Sequence, residues 1–237
     1  MRVISIGILL ALPAVAAGVG NRAVQEANYE VGAGYQNSDL GDTYSVGGRF
    51  TAPVLGSGGV SLNGSYDRLE GDGGTLDSDA YLAGVDAFVR DYDVGRLSAG
   101  LVYRRQRFDR PRNAIGVDRS LTAKTYRVAG EFYAGSLTLG ASRSYADLDR
   151  ADDVKLWNLA AREYLKRSTR LGASLTQLDG KVNYALGVAN QPQFWHNAAQ
   201  VFAGYADIGD GEQVWSLALT YFFDKRPALM DRDRKYR

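Results

Sequence analysis

A chain of 237 residues with a formal net charge of +1 and no cysteine excludes disulfides and thiolate metal centres, and offers no bulk charge for holding nucleic acid. Its mean hydropathy of −0.26 is too polar for a bundle of membrane helices, an objection a β-barrel escapes because only alternate residues face lipid. Glycine (28) and tyrosine (15) are abundant, and a chain of this length suits a single all-β domain.

The amino terminus reads as an export signal. Arg2 supplies the positive charge, Val3 through Leu12 the apolar run, and Ala14-Val15-Ala16 a small-x-small cleavage site. Residues 1–16 are therefore predicted to be a cleavable signal peptide, and 17–27 a flexible leader. The apolar run is too short for a membrane helix, which needs about 20 residues.

From Asn28 onward apolar and polar residues alternate with a period of two: Tyr29, Val31, Ala33, Tyr35, then Tyr44, Val46, Gly48, Phe50, then Val60, Leu62, Gly64, Tyr66. That period places one set on each face of a strand. Six successive hairpins follow, with strands at 28–37 and 42–52, 59–69 and 79–90, 96–107 and 122–134, 136–146 and 154–165, 169–178 and 181–190, and 198–206 and 213–223. Most have roughly the 9–11 residues that cross a bilayer when tilted. Glycines at 56, 58, 59, 71, 73, 74, 209 and 211, and the pair Asp179-Gly180, mark the turns.

Two stretches fit less simply. In 154–165, Val154 and Leu156 suit one register while Trp157, Leu159 and Ala161 suit the other, which a β-bulge reconciles. The connection at 191–197 carries Pro192, Phe194, Trp195 and His196 and is long for a turn; moving one boundary there gives ten strands instead of twelve.

If strands run up and down, Tyr35, Tyr44, Tyr66, Tyr81, Tyr103, Tyr126, Tyr145, Tyr184, Tyr205 and Trp215 fall at one rim. Phe50, Phe132, Tyr164 and Phe223 fall at the other. An apolar outer band between aromatic girdles is the pattern of a transmembrane, up-and-down antiparallel β-barrel, here spanning 28–223. The complementary face carries Glu30, Arg49, Asp67, Asp86, Arg90, Arg104, Arg127, Glu131, Arg170 and Lys181 among Ser, Thr, Asn and Gly. These are the candidate pore-lining residues. Charges of both signs allow ion pairs that fill the lumen, or a narrow wet channel that biases its solutes. The segment 108–121, with Arg107, Arg110, Arg112 and Arg119, is the candidate constriction, or else an exposed basic loop.

The last strand places Trp215, Leu217, Leu219, Tyr221 and Phe223 on one face. A final strand of this type, ending in an aromatic residue, resembles the assembly signal of Gram-negative outer-membrane β-barrels. The resemblance covers the mature chain and names no subfamily. It implies an outer-membrane location, a periplasmic leader, Tyr221 and Phe223 as an assembly signal for the barrel-assembly machinery, and contact with outer-membrane lipid and lipopolysaccharide. It also implies that the first connection faces outside, and the outward loops are then the longer ones. The chain departs from the pattern by continuing through 224–237, with the run Asp231-Arg232-Asp233-Arg234-Lys235, expected as a charged, solvated periplasmic tail.

Some outer-membrane barrels modify lipids, and their chemistry usually needs a His near the outer rim that activates a Ser or water. The one histidine, His196, falls in a turn at the other end with no Ser beside it. No enzyme is expected. The carboxylates of 147–153 match no Ca²⁺-loop spacing, and no phosphate-cradling loop appears; neither a metal nor a cofactor is expected. The expected function is a small, weakly selective porin-like channel for small polar solutes, with a side-chain-filled structural or surface-interaction barrel as the alternative.

Overall fold

The computed structural model describes residue 24 and residues 26–54, 56–72, 77–109, 120–178, 180–209, 212–223 and 227–236. The expected signal peptide, most of the leader and the arginines at 110, 112 and 119 lie outside the described residues.

Twelve strands follow in chain order: β1 (Asn28–Ser38), β2 (Gly41–Pro53), β3 (Gly58–Gly71), β4 (Ser78–Asp91), β5 (Gly95–Phe108), β6 (Ser120–Ala134), β7 (Leu137–Leu148), β8 (Val154–Lys166), β9 (Thr169–Leu178), β10 (Lys181–Asn190), β11 (Ala199–Asp207) and β12 (Gln213–Phe222). A 3-10 turn occupies Gln193–Trp195 and a helix, α1, occupies Leu229–Lys235. Each strand pairs antiparallel with the next, and β12 returns to β1, from Glu30 opposite Phe222 to Ser38 opposite Val214. The ladder is closed, so no sheet edge is left unpaired. The expectation of twelve strands rather than ten holds.

Side-chain alternation fixes which solvent meets which face. Along β4, Tyr81, Ala83, Val85, Ala87 and Val89 are exposed, while Leu82, Gly84, Asp86, Phe88 and Arg90 are sheltered. Around the barrel Val31, Val46, Leu62, Leu101, Val128, Leu139, Leu159, Leu175, Leu186 and Leu217 all point outward and are exposed. Glu30, Asp67, Arg90, Arg96 and Arg170 are buried inside. A water-soluble protein does not leave so continuous an apolar surface uncovered. Hydrocarbon is the solvent that matches it.

The ends of the barrel differ. The near mouth carries the start of β1, the end of β12 and the connections after β2, β4, β6, β8 and β10; the far mouth carries the others. Two turns explain why glycine is needed where it is. At Gly41, following the two-residue connection Asp39-Leu40, φ is 128°, and at Gly95 it is 156°. In each case an added Cβ would fall well inside 3.0 Å of a carbonyl oxygen on the neighbouring strand, that of Glu70 or of Glu131.

Three expectations are corrected. Val154 and Leu156 need no bulge beside them: β7 and β8 pair without a break from Leu137–Glu163 to Ala146–Val154, and both side chains point inward. There they pack with Ala146, Leu148 and Leu178, an apolar cluster that the expectation of a polar lumen did not allow. The irregularity in β8 lies at Tyr164–Lys166 instead. Tyr164, expected at a rim, keeps the inward parity of Val154 and Leu156 and is buried, where its hydroxyl donates to the Asp233 carboxylate at 2.8 Å.

The third correction is the carboxyl end, expected as a solvated tail. α1 is folded into the near mouth, with Leu229, Arg232, Asp233 and Arg234 buried. Charge alone reads as solvation, but here the barrel supplies partners. Arg170 Nη1 donates to Asp233 Oδ2 at 2.5 Å. Arg234 donates to the carbonyls of Gly135 (2.6 Å) and Leu137 (2.9 Å) and to Thr138 Oγ1 (3.1 Å). The Arg232 guanidinium lies 3.6 Å from the centre of the Phe222 ring. Leu229 packs on Tyr164 and Ala189.

Candidate functional site

The site is the lumen wall. Nine of the candidate pore-lining residues stand on inward positions: Glu30, Arg49, Asp67, Asp86, Arg90, Arg104, Arg127, Glu131 and Arg170. Lys181 has inward parity but sits exposed at the far end of β10. Sequence reasoning passed over two more inward arginines, Arg96 and Arg162. Arg96 begins a strand, where parity is hard to assign, and Arg162 lies in the stretch whose register was ambiguous. The spacing Arg96, Ser98, Gly100, Val102, Arg104 carried the missing signal for the first.

Register assembles these groups into rows. Arg90 stands opposite Arg96, which stands opposite Glu131, which stands opposite Gly140. The Glu131 carboxylate takes its ion pair from Arg162, which reaches across β7 above Gly140. Both Arg90 and Arg96 lie over the Phe88 ring, at 4.4 and 4.2 Å from its centre. Two like charges directly opposite repel; the shared aromatic face and the single carboxylate offset part of that cost.

A second row runs from Asp86 through Gly100 to Arg127. The Asp86 carboxylate occupies the space a Cβ on Gly100 would need. Asp86 and Arg127 face one another without closing an ion pair of 4.0 Å or less among the described residues. Elsewhere Arg49 pairs with Glu30 at 3.3 Å and Arg104 with Asp67 at 3.9 Å. The described strands thus present seven inward arginines (49, 90, 96, 104, 127, 162, 170) against four carboxylates (30, 67, 86, 131). The charge is also one-sided. β11 and β12, neighbours in the ladder, turn no charged side chain inward. That wall is small or neutral, with Phe202 lying over Gly187 and Gly204, where a Cβ would come within 2.6 and 2.7 Å of the ring.

The outward aromatic residues gather toward the far end. Tyr126 stacks on Tyr145, while Tyr35 meets Tyr44, Tyr66 meets Tyr81, and Tyr205 meets both Tyr184 and Trp215 with tilted rings, all with ring centres 4.8–6.4 Å apart; Tyr103 is exposed on the same face. Several hydroxyls reach a rim carboxylate: Tyr35 to Asp42 at 2.8 Å, Tyr66 to Asp79 at 2.6 Å, Tyr184 to Asp207 at 3.2 Å, and Tyr145 to Asp153. An apolar ring with a wet hydroxyl suits a residue between hydrocarbon and water. Phe50, Phe132 and Phe223 point outward near the other mouth, where the Phe223 ring meets Tyr221 edge-on at 5.0 Å. Arg68 ties the far connections together, reaching Asp77, Asp79 and Asp109 at 3.0–3.4 Å. Arg107 is exposed on the outer face at the far end of β5. His196 caps the 3-10 turn at the near mouth with a left-handed backbone, φ 51°.

No protein-family model and no curated protein matches the chain. Solved structures do. A KdgM porin in complex with disordered oligogalacturonate is similar over 82% of this chain and 99% of its own, with a TM-score of 0.64 at 8% identity. The β domain of the Bordetella autotransporter BrkA is similar over 83% and 98%, with a TM-score of 0.56 at 14% identity. The Acinetobacter baumannii outer-membrane protein Omp33 is similar over 84% and 99%, with a TM-score of 0.54 at 15% identity. Porins and an autotransporter domain share this architecture, so the likeness carries the fold and leaves function to the site. The fold is that of the Gram-negative outer-membrane β-barrels, and the apolar outer belt is the surface such a protein turns to its bilayer.

Proposed function

We propose that the protein is a narrow outer-membrane channel for small polar solutes, with a weak preference for anions. The observation that carries this reading is the arginine excess on the lumen wall, seven inward arginines against four carboxylates on the described strands. Charged groups along a low-dielectric passage bias which ions enter it. A side-chain-filled barrel is the second reading, favoured by the ion pairs at Arg49, Arg104 and Arg162 and by α1 at the near mouth. Neither reading requires an enzyme, a metal or a cofactor; His196 lies at the mouth opposite the tyrosine-rich rim.

Planar-bilayer recordings separate the two. Discrete current steps are expected, with a reversal potential displaced toward that of chloride in a KCl gradient. Arg127→Glu is expected to move that potential toward potassium. Absence of steps from both the full chain and a chain ending at Phe223 would leave the filled barrel as the reading.

The outward aromatic residues are proposed to seat the barrel at the two interfaces, against lipid and, on the outer leaflet, lipopolysaccharide. Tyr221 and Phe223 are proposed to be read by the barrel-assembly machinery during insertion. Phe223→Ala is expected to lower the yield of heat-modifiable, folded barrel in cells, while a detergent-refolded sample keeps its unfolding midpoint, since Phe223 is 59% exposed. Equal yields of wild type and variant in cells would remove Phe223 from that role.

A further inference from the structure

The near mouth holds a built carboxylate site that the chain fills with its own side chain. Arg170 and Tyr164 come from β9 and β8, are each 5% exposed, and converge on one oxygen of Asp233 at 2.5 and 2.8 Å. Neither group belongs to the tail, so the receptor is part of the wall and only its occupant is on α1. α1 is also seated by Arg234 on two carbonyls and a hydroxyl, by Arg232 on the Phe222 ring, by Leu229 against Tyr164 and Ala189, and by an ion pair of Asp231 with Arg167 at 3.8 Å, whose guanidinium, unlike that of Arg170, is exposed.

A helix with its side chains is about 10 Å across, while a barrel of this strand number lies between side-chain-filled and open-channel sizes. α1 and the Tyr236 that follows it reach the wall of the near mouth on several sides, at Asn28 on β1, Gly135 between β6 and β7, Tyr164 on β8, Arg170 on β9 and Phe222 on β12. We propose that α1 is a plug, latched by Asp233 in the Arg170–Tyr164 site, and that a small carboxylate solute competes for that site and so unlatches the plug. This rests on the channel reading. Removing the latch carboxylate leaves Arg170 buried and unpaired with α1 seated, a state disfavoured against release of the helix. The occupant seen in the site is a carboxylate whose one oxygen accepts from both the Arg170 guanidinium and the Tyr164 hydroxyl, and a small carboxylate reproduces both contacts in the same volume.

The test compares the full chain, D233N and a chain ending at Phe223, recorded under one set of conditions in lipid bilayers. The full chain is expected to be mostly closed. D233N keeps the shape of the side chain and is expected to raise the open fraction roughly tenfold or more, and the truncated chain to stay open. Acetate at the near mouth is expected to raise the open fraction of the full chain and to leave the other two unchanged, whereas acetamide, its neutral counterpart, has no effect. Equal conductance of all three proteins overturns the plug and leaves the channel standing. Silence from all three overturns the channel itself. D233N matching the full chain overturns the latch, and acetate acting no better than acetamide overturns the solute site. Because the chain contains no cysteine, L229C in the full chain supplies a second readout: slow reaction with a soluble thiol reagent is expected at this wholly buried position, and rapid reaction overturns the seating of α1.

Discussion

Gly95→Ala and Gly41→Ala are each expected to destabilise the barrel by about 3 kcal/mol or more, the combined scale of a forced positive φ and an overpacked contact. At both glycines the new methyl would press on a backbone carbonyl of the adjacent strand, that of Glu131 or Glu70. A carbonyl held in a closed ladder has little room to retreat, unlike the end of a flexible side chain. Gly135→Ala is the internal control. Its φ is 57°, in the same left-handed range, but nothing lies within 4 Å of the position a Cβ would take. It is expected to cost only about 1 kcal/mol. Urea unfolding of the refolded proteins in lipid vesicles, followed by tryptophan fluorescence, measures all three; equal losses would show that backbone angle, rather than the cross-strand contact, sets the cost.

The second large effect is expected at Glu131→Ala. Glu131 is the sole carboxylate in a row with Arg90 and Arg96, and it carries the ion pair with Arg162. Removing one partner of a buried pair typically costs about 3–5 kcal/mol, because the remaining charge keeps its desolvation penalty. Arg162→Met made together with Glu131→Ala is expected to cost clearly less than the sum of the two single changes, since the second substitution removes the charge that the first left stranded. The same unfolding assay gives the coupling. Glu131→Ala is also expected to strengthen anion preference in bilayer recordings, a readout that a purely structural loss would not move.

Much of the architecture was legible because a barrel in lipid reveals itself twice, by period-two alternation and by aromatic residues at the strand ends. The pairings Tyr35–Tyr44, Tyr66–Tyr81 and Tyr126–Tyr145 are the spatial form of that pattern. What alternation cannot encode is a residue that breaks polarity while keeping parity. Val154 and Leu156 look like a register change, yet they are inward residues that pack on apolar neighbours from β7 and β9. Phe88 and Phe202 are likewise lumen aromatics, one beneath two guanidinium groups and the other above two glycines. The tail was the least legible part. Seven residues with five charged side chains read as solvated until the wall supplies Arg170, Tyr164 and the carbonyls of Gly135 and Leu137, partners contributed by residues 60 to 100 positions away in the chain.

The seat of α1 also carries a consequence for the timing of assembly. Its contacts draw on β6 to β9, on Phe222 and, through the Asn28 side chain donating to the Tyr236 carbonyl, on the first strand. Those surfaces stand together only after the first and last strands have met. Docking of the helix is then expected to follow closure of the barrel, and a variant whose first and last strands cannot pair is expected to leave the helix undocked.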